Sequence, residues 1–282
     1  MVIPWDISAG GYLALGLSGM AGLAAGAYCV RAADAYAGLL ARGRAPNAAT
    51  MRAALGLAAP PACVAQRSTA RVAARSPDPG RWPRRDGCAV AAGRLAARPA
   101  WWRSPAGAVL AAGTMALHLV HGYGFYTGLA ALAGVLLLLL ALIDLRTGLL
   151  PDALTLPVLG LGLAAAVLAG GEAGRLASAS NALGGAAMGL AFPWLLNQIF
   201  KRLRGQEGMG GGDLKLLAGL GAWLGWQGLP SALLLACCAG LLWAMWRQKT
   251  LLPAGSYPFG PFLSAGGAYV FLAGSGLHWH FW

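Results

Sequence analysis

Apolar residues in this chain fall in long unbroken blocks, at about 9–30, 105–123, 127–143, 153–170, 180–200, 213–228, 230–246 and 262–281. A helix needs about 20 such residues to cross about 30 Å of hydrocarbon, and most of these blocks approach that length. A β-barrel would show short segments of alternating hydrophobicity instead, and the run Leu136–Leu140 has no alternation. The pattern therefore predicts an all-α membrane protein, a polytopic bundle of about eight transmembrane helices. The first block is rich in Gly and Ala, which suits close helix packing, and no signal-peptide cleavage pattern follows it, so it reads as a retained span. Residues 31–104 are polar, rich in Arg, Ala and Pro, and poor in bulky apolar side chains, so they read as an irregular loop outside the membrane. The predicted organisation is a first span within 1–30, a basic loop over 31–104, and a seven-span core over 105–282.

Composition agrees with this pattern. Of 282 residues, 58% are hydrophobic and only 11% charged, where a soluble domain carries about 25% charged residues. The net charge of +12 could signal nucleic acid, but its distribution points to the membrane, and no nucleic-acid partner is expected. Twelve of the twenty-one basic residues lie between Arg42 and Arg103. The positive-inside rule then places that loop in the cytoplasm. Counting spans from there puts the loops at 144–152, 201–212 and 247–261 on the same side. These hold Arg146, Lys201, Arg202, Arg204, Arg247 and Lys249, and the opposite side holds only Arg175.

Span counting also brings two acids to one face. After Asp86 the only carboxylates are Asp144, Asp152, Glu172, Glu207 and Asp213. Asp144 ends one apolar block, and Asp213 opens another behind Gly210-Gly211-Gly212. An ionisable group at the edge of hydrocarbon is costly and marks function by default. Two carboxyls sharing a site hold one proton between them. The ionised member can activate water, and the protonated one can polarise a carbonyl. Asp213 would also fit a helix N-cap, and Asp144 a solvated residue paired with Arg146. Three glycines are more than a cap needs, and they permit close approach of a substrate backbone.

Other features carry plainer readings. Asp152, after Pro151, suits the first turn of a helix, and Lys215 a headgroup contact. Trp223 and Trp226 suit interfacial anchors, while His118, His121, His278 and His280 fall near the outer face. The five cysteines form no CxxC pair, so no zinc site or disulfide framework can be read from them.

Four elements in order resemble one family: Leu142-Ile143-Asp144; Leu149-Leu150-Pro151-Asp152; Glu207-Gly208-Met209-Gly210-Gly211-Gly212-Asp213-Leu214-Lys215; and Pro258-Phe259-Gly260-Pro261-Phe262-Leu263. Together they are similar to the type IV prepilin peptidases, bacterial inner-membrane GxGD aspartic proteases. The resemblance covers about 105–282 and implies Asp144 and Asp213 as the catalytic pair. It implies cleavage of the basic leader of type IV prepilins and type II secretion pseudopilins at the cytoplasmic face. Peptide hydrolysis of this kind takes no cofactor. Larger members also methylate the new N-terminus with S-adenosylmethionine and bind zinc through two CxxC pairs in the first loop. Here that loop has only Cys63 and Cys88, so zinc is not expected and methylation is in doubt. The Ala/Arg/Pro composition of about 40–104 is that of a GC-rich gene read in another frame. Competing classes are a proton- or ion-coupled transporter and an inactive remnant of the family.

Overall fold

The computed structural model describes residues 9–57, 105–168, 179–205, 208–249 and 257–273. Among them are eight helices: α1 (Ala9–Ala41), α2 (Ala48–Ala54), α3 (Pro105–His121), α4 (Phe125–Thr147), α5 (Asp152–Leu168), α6 (Ala179–Arg204), α7 (Gly211–Gln248) and α8 (Gly260–Ala273). No strand occurs among the described residues. Four helices, α1, α4, α6 and α7, are long and apolar enough to cross a membrane. The protein is thus a helical membrane protein.

The first helix outruns its predicted end. Beyond residue 30 it continues to Ala41 because its inner face stays small and buried: Cys29, Ala32, Ala33 and Tyr36 all pack inward. The chain then turns through Gly43, at φ +78°, into α2. There Asn47 caps the helix by accepting the Thr50 N–H at 2.9 Å, and Thr50 and Met51 are buried. Residues 31–57 are therefore mostly helical and packed. The remainder of the predicted loop, with Cys63 and Cys88, lies outside the described residues, as do His278 and His280.

Small residues set how the helices meet. On α1, Gly19, Gly22 and Gly26 face Met115, Ala111 and Gly107 of α3 in antiparallel order. A Cβ on Gly22 would stand 2.7 Å from the Ala111 Cα, so these backbones touch. On α6, Gly185 and Gly189 lie against the backbone of Gly221 and Leu217 in the same way.

Helix α7 runs through two predicted spans. It is bent at Gly225, whose φ of +70° and ψ of 174° are non-helical. The break sits five residues before Pro230, the residue that the sequence reading placed at the opening of the second span. Gly225 can adopt a positive φ at low cost, and Asn181 receives the restarted helix by accepting the Trp226 N–H at 3.3 Å. Contacts with α8 show that the chain reverses there. Before the bend, Leu220 and Trp223 meet Gly267 and Phe271; after it, Gly228 meets Val270, Ala236 meets Gly266, and Gly240 meets Phe262. The first limb runs parallel to α8 and the second antiparallel to it.

Trp223 is a core residue and not an interfacial anchor. It is 5% exposed, its Nε1–H donates to the Val158 carbonyl at 3.0 Å, and Gly162 clears the space for its ring. Trp226, by contrast, is exposed. At the same end of the bundle, His118 packs on Tyr123, and His121 on Tyr126 and Phe271.

Candidate active site

The opposite end of the bundle gathers the end of α4 and the starts of α5, α7 and α8. Asp144 lies in the last turn of α4, inside the helix and not beyond it. Gly148, in the left-handed region at φ +63°, closes that helix by donating its N–H to the Asp144 carbonyl. The Asp144 side chain is 5% exposed. Its Oδ2 accepts the backbone N–H of Gly260 at 2.9 Å. The carboxyl thus occupies the N-terminus of α8, where a free N–H and the helix dipole favour an anion.

Gly260 has to be glycine for this bond to form. A Cβ there would stand 2.8 Å from Asp144 Oδ2 and 3.2 Å from Leu150 Cδ2. The sequence reading quoted Gly260 within its fourth motif but gave it no role.

Asp213 belongs to the first turn of α7, whose N-cap is Gly210 with no side-chain capping bond. The simple capping reading of Asp213 therefore does not hold. Its Oδ1 is buried and has no hydrogen-bond partner among the described residues, and its Oδ2 approaches Gly210. Each acid neighbours a glycine that packs on Leu150: Gly212 precedes Asp213, and Gly260 donates its N–H to Asp144. Leu150 joins the two halves of the site. Its Cβ stands where a Cβ on Gly212 would fall, 2.6 Å away, and its Cδ2 reaches Gly260. Of the three predicted substrate glycines, Gly212 is thus packed on Leu150, Gly210 lies beside Asp213, and Gly211 faces open space.

The surrounding charges are paired outward from the acids. Arg146 does not pair with Asp144. Its Nε lies 2.7 Å from Asp34 Oδ1 on α1. Lys215 Nζ lies 2.6 Å from Asp152 Oδ2, an ion pair and not the free headgroup contact expected of it. Neither pair draws on Asp144 or Asp213, so the two carboxyls keep no basic partner among the described residues.

A cavity of about 250 Å³ opens between α3, α4, the first limb of α7 and α8. It reaches Ala141, one turn before Asp144, and Pro261, next to Gly260. Apart from Thr114, Ser264 and the Trp223 ring, its walls are aliphatic, glycine or phenyl groups. No carboxylate or amide side chain lines it to take the ribose and amino-acid groups of S-adenosylmethionine. That lining does not fit the cofactor.

Fold and site together define a helical membrane protein with one buried and one half-buried acid at one end of the bundle. The model of the type IV leader peptidase family matches residues 131–245, which include both acids. It is similar to the prepilin leader peptidase/N-methyltransferase of Burkholderia pseudomallei (strain K96243), with 45% identity over 174 residues, covering 60% of this chain and 53% of that protein. Similar too are the proteins of that name from Pectobacterium carotovorum subsp. carotovorum, 40% identical over 55% of this chain and 56% of that protein, and from Pseudomonas aeruginosa PAO1, 41% identical over 57% of each. The chain spans about half the length of the curated relatives it matches. No solved structure matches it.

Proposed function

We propose that this protein is a prepilin leader peptidase, and that Asp144 and Asp213 are its catalytic pair. Supporting this are two carboxyls, one buried and one half-buried, distant in sequence, brought to either side of Leu150 with no basic partner among the described residues, within the stretch that the leader-peptidase family model matches. One ionised carboxyl removes a proton from water as the oxygen attacks the scissile carbonyl carbon. The other, protonated, donates a hydrogen bond to the carbonyl oxygen and stabilises the developing charge. Collapse of the tetrahedral intermediate then breaks the C–N bond, and the proton passes to the leaving amine. Gly210 and Gly211 leave room for the substrate backbone beside Asp213, and Gly212 fixes the loop on Leu150.

The substrates are type IV prepilins and type II secretion pseudopilins, cut behind their basic leaders. The protein crosses the bacterial inner membrane several times, with its site at the cytoplasmic face. Arg146, Lys201, Arg202 and Arg247 cluster at the end of the bundle that holds the acids, as the positive-inside rule requires of a cytoplasmic side.

The test is cleavage of a purified type IV prepilin by the full chain in detergent. Asp144→Asn and Asp213→Asn should each lower cleavage by about 100- to 10,000-fold while the protein still inserts. Asn keeps an oxygen for the Gly260 N–H but cannot exchange the proton. Full processing by either variant would refute the pair, and an inert wild type would favour a catalytically inactive member of the family. The mass of the processed N-terminus reads any methylation in the same experiment.

A further inference from the structure

Between α6 and α7 the chain passes through Gly208-Met209-Gly210, and one side chain grips it. Asn197 Oδ1 accepts the N–H of Gly208 at 2.7 Å and the N–H of Met209 at 3.1 Å. Its Nδ2 donates to the Met209 carbonyl at 3.2 Å. Three residues on, along the same face of α6, the Phe200 ring covers Gly208, where a Cβ would stand 3.1 Å from Phe200 Cδ1. Asn197 is half-buried in a stretch whose other neighbours are mostly apolar. An amide is the side chain that can supply two acceptor bonds and one donor bond to a single stretch of backbone.

The gripped segment leads straight to the site. Met209 adjoins Gly210, the N-cap of α7, and Asp213 lies one turn further on, beside Gly210. Gly210, Gly211 and Gly212 have little intrinsic preference for one backbone path. Among the described residues no hydrogen bond orients Asp213 Oδ1. The position of that carboxyl must therefore come from its backbone, fixed on one side by Leu150 against Gly212 and on the other by the Asn197 contacts.

Resting on the peptidase reading above, we propose that Asn197 is a positioning residue for catalysis, holding the 208–210 backbone so that Asp213 meets Asp144. It touches neither substrate nor the acids. Its loss should lower kcat and leave KM near the wild-type value, because the catalytic carboxyl is displaced while substrate contacts elsewhere persist.

Two variants of similar volume separate this role from packing. Asn197→Leu fills the same space with no hydrogen bonds. Asn197→Asp keeps both acceptor bonds and loses the donor. Prepilin cleavage by purified full-length protein should fall about 10- to 100-fold in kcat for the Leu variant, with KM within about twofold, and less for the Asp variant. Hydrogen exchange read by mass spectrometry should show faster exchange in the peptide over 205–213 of the Leu variant, with the helices unchanged. Wild-type kcat and protection in the Leu variant, or equal kcat losses in both, would overturn the proposal. Were the Leu variant not to insert, slower turnover with faster 205–213 exchange in the Asp variant would support it, and wild-type turnover and exchange in the Asp variant would overturn it. A wild-type chain that leaves prepilin uncut would instead count against the peptidase reading, while exchange at 205–213 would still report on the Asn197 grip.

Discussion

Asp144 and Gly260 are 116 positions apart yet share a hydrogen bond, and this pairing makes the site sensitive to a single methyl group. Gly260→Ala would set a Cβ 2.8 Å from Asp144 Oδ2 and 3.2 Å from the Leu150 side chain. At that distance something must shift, and a carboxyl that moves off loses its hydrogen bond at the α8 N-terminus. We expect prepilin cleavage by Gly260→Ala to fall at least about tenfold, with a thermal midpoint much closer to wild type than the activity. Wild-type turnover would show that the Gly260 contact is incidental. The sequence makes the acids themselves legible, because carboxylates are rare in so apolar a chain and each stands where an apolar block begins or ends. Their partners were not legible. Nothing local to Gly260 says that its N–H faces a carboxylate from α4, and nothing local to Asn197 says that a loop returns to meet it. Both contacts depend on how distant segments pack.

At the scale of helices, glycine pairs carry the geometry. Gly185 and Gly221 bring the α6 and α7 backbones together with no room for a side chain between them. Gly185→Leu must push these helices apart and lose the contacts between them. It should destabilise the protein by at least about 1–3 kcal/mol, seen as a lower thermal midpoint in detergent or a smaller yield in the membrane fraction. The same change at Gly184, whose Cβ position is open, serves as the control and should leave stability near wild type. Most helices could be anticipated from apolar blocks, since burial in lipid demands continuous runs. The exceptions follow from details that hydropathy does not weigh. Small alanines prolong α1 beyond its bulky apolar stretch, an asparagine cap founds α2, and a single glycine conformation, not the nearby proline, divides α7.

For the molecule as a whole, α1 and α2 are part of the bundle. Cys29, Ala32, Ala33, Tyr36 and Met51 belong to the same buried cluster as Leu140, Ile143 and Leu263, and Asp34 pairs with Arg146 next to the site. A chain beginning at residue 105 would leave the glycine-contacting face of α3 uncovered. Such a truncation should accumulate poorly in membranes and fail to cleave prepilin, and co-expression of 1–57 should restore part of the yield. Full accumulation and activity of the truncated chain would show the N-terminal helices to be dispensable. The gathering of both acids at one end was legible through span parity and basic loops, because charge asymmetry and chain direction must agree along the whole polypeptide. The reversal at Gly225 also limits how far the acid-bearing limb can reach. From Gly211 to Leu224 the first limb reaches about 21 Å at 1.5 Å per residue, short of a full bilayer core of about 30 Å. A limb this short owes its place to protein contacts more than to lipid: Leu216, Leu217 and Leu220 are buried, and Val158, Gly185 and Gly267 of three other helices close around it.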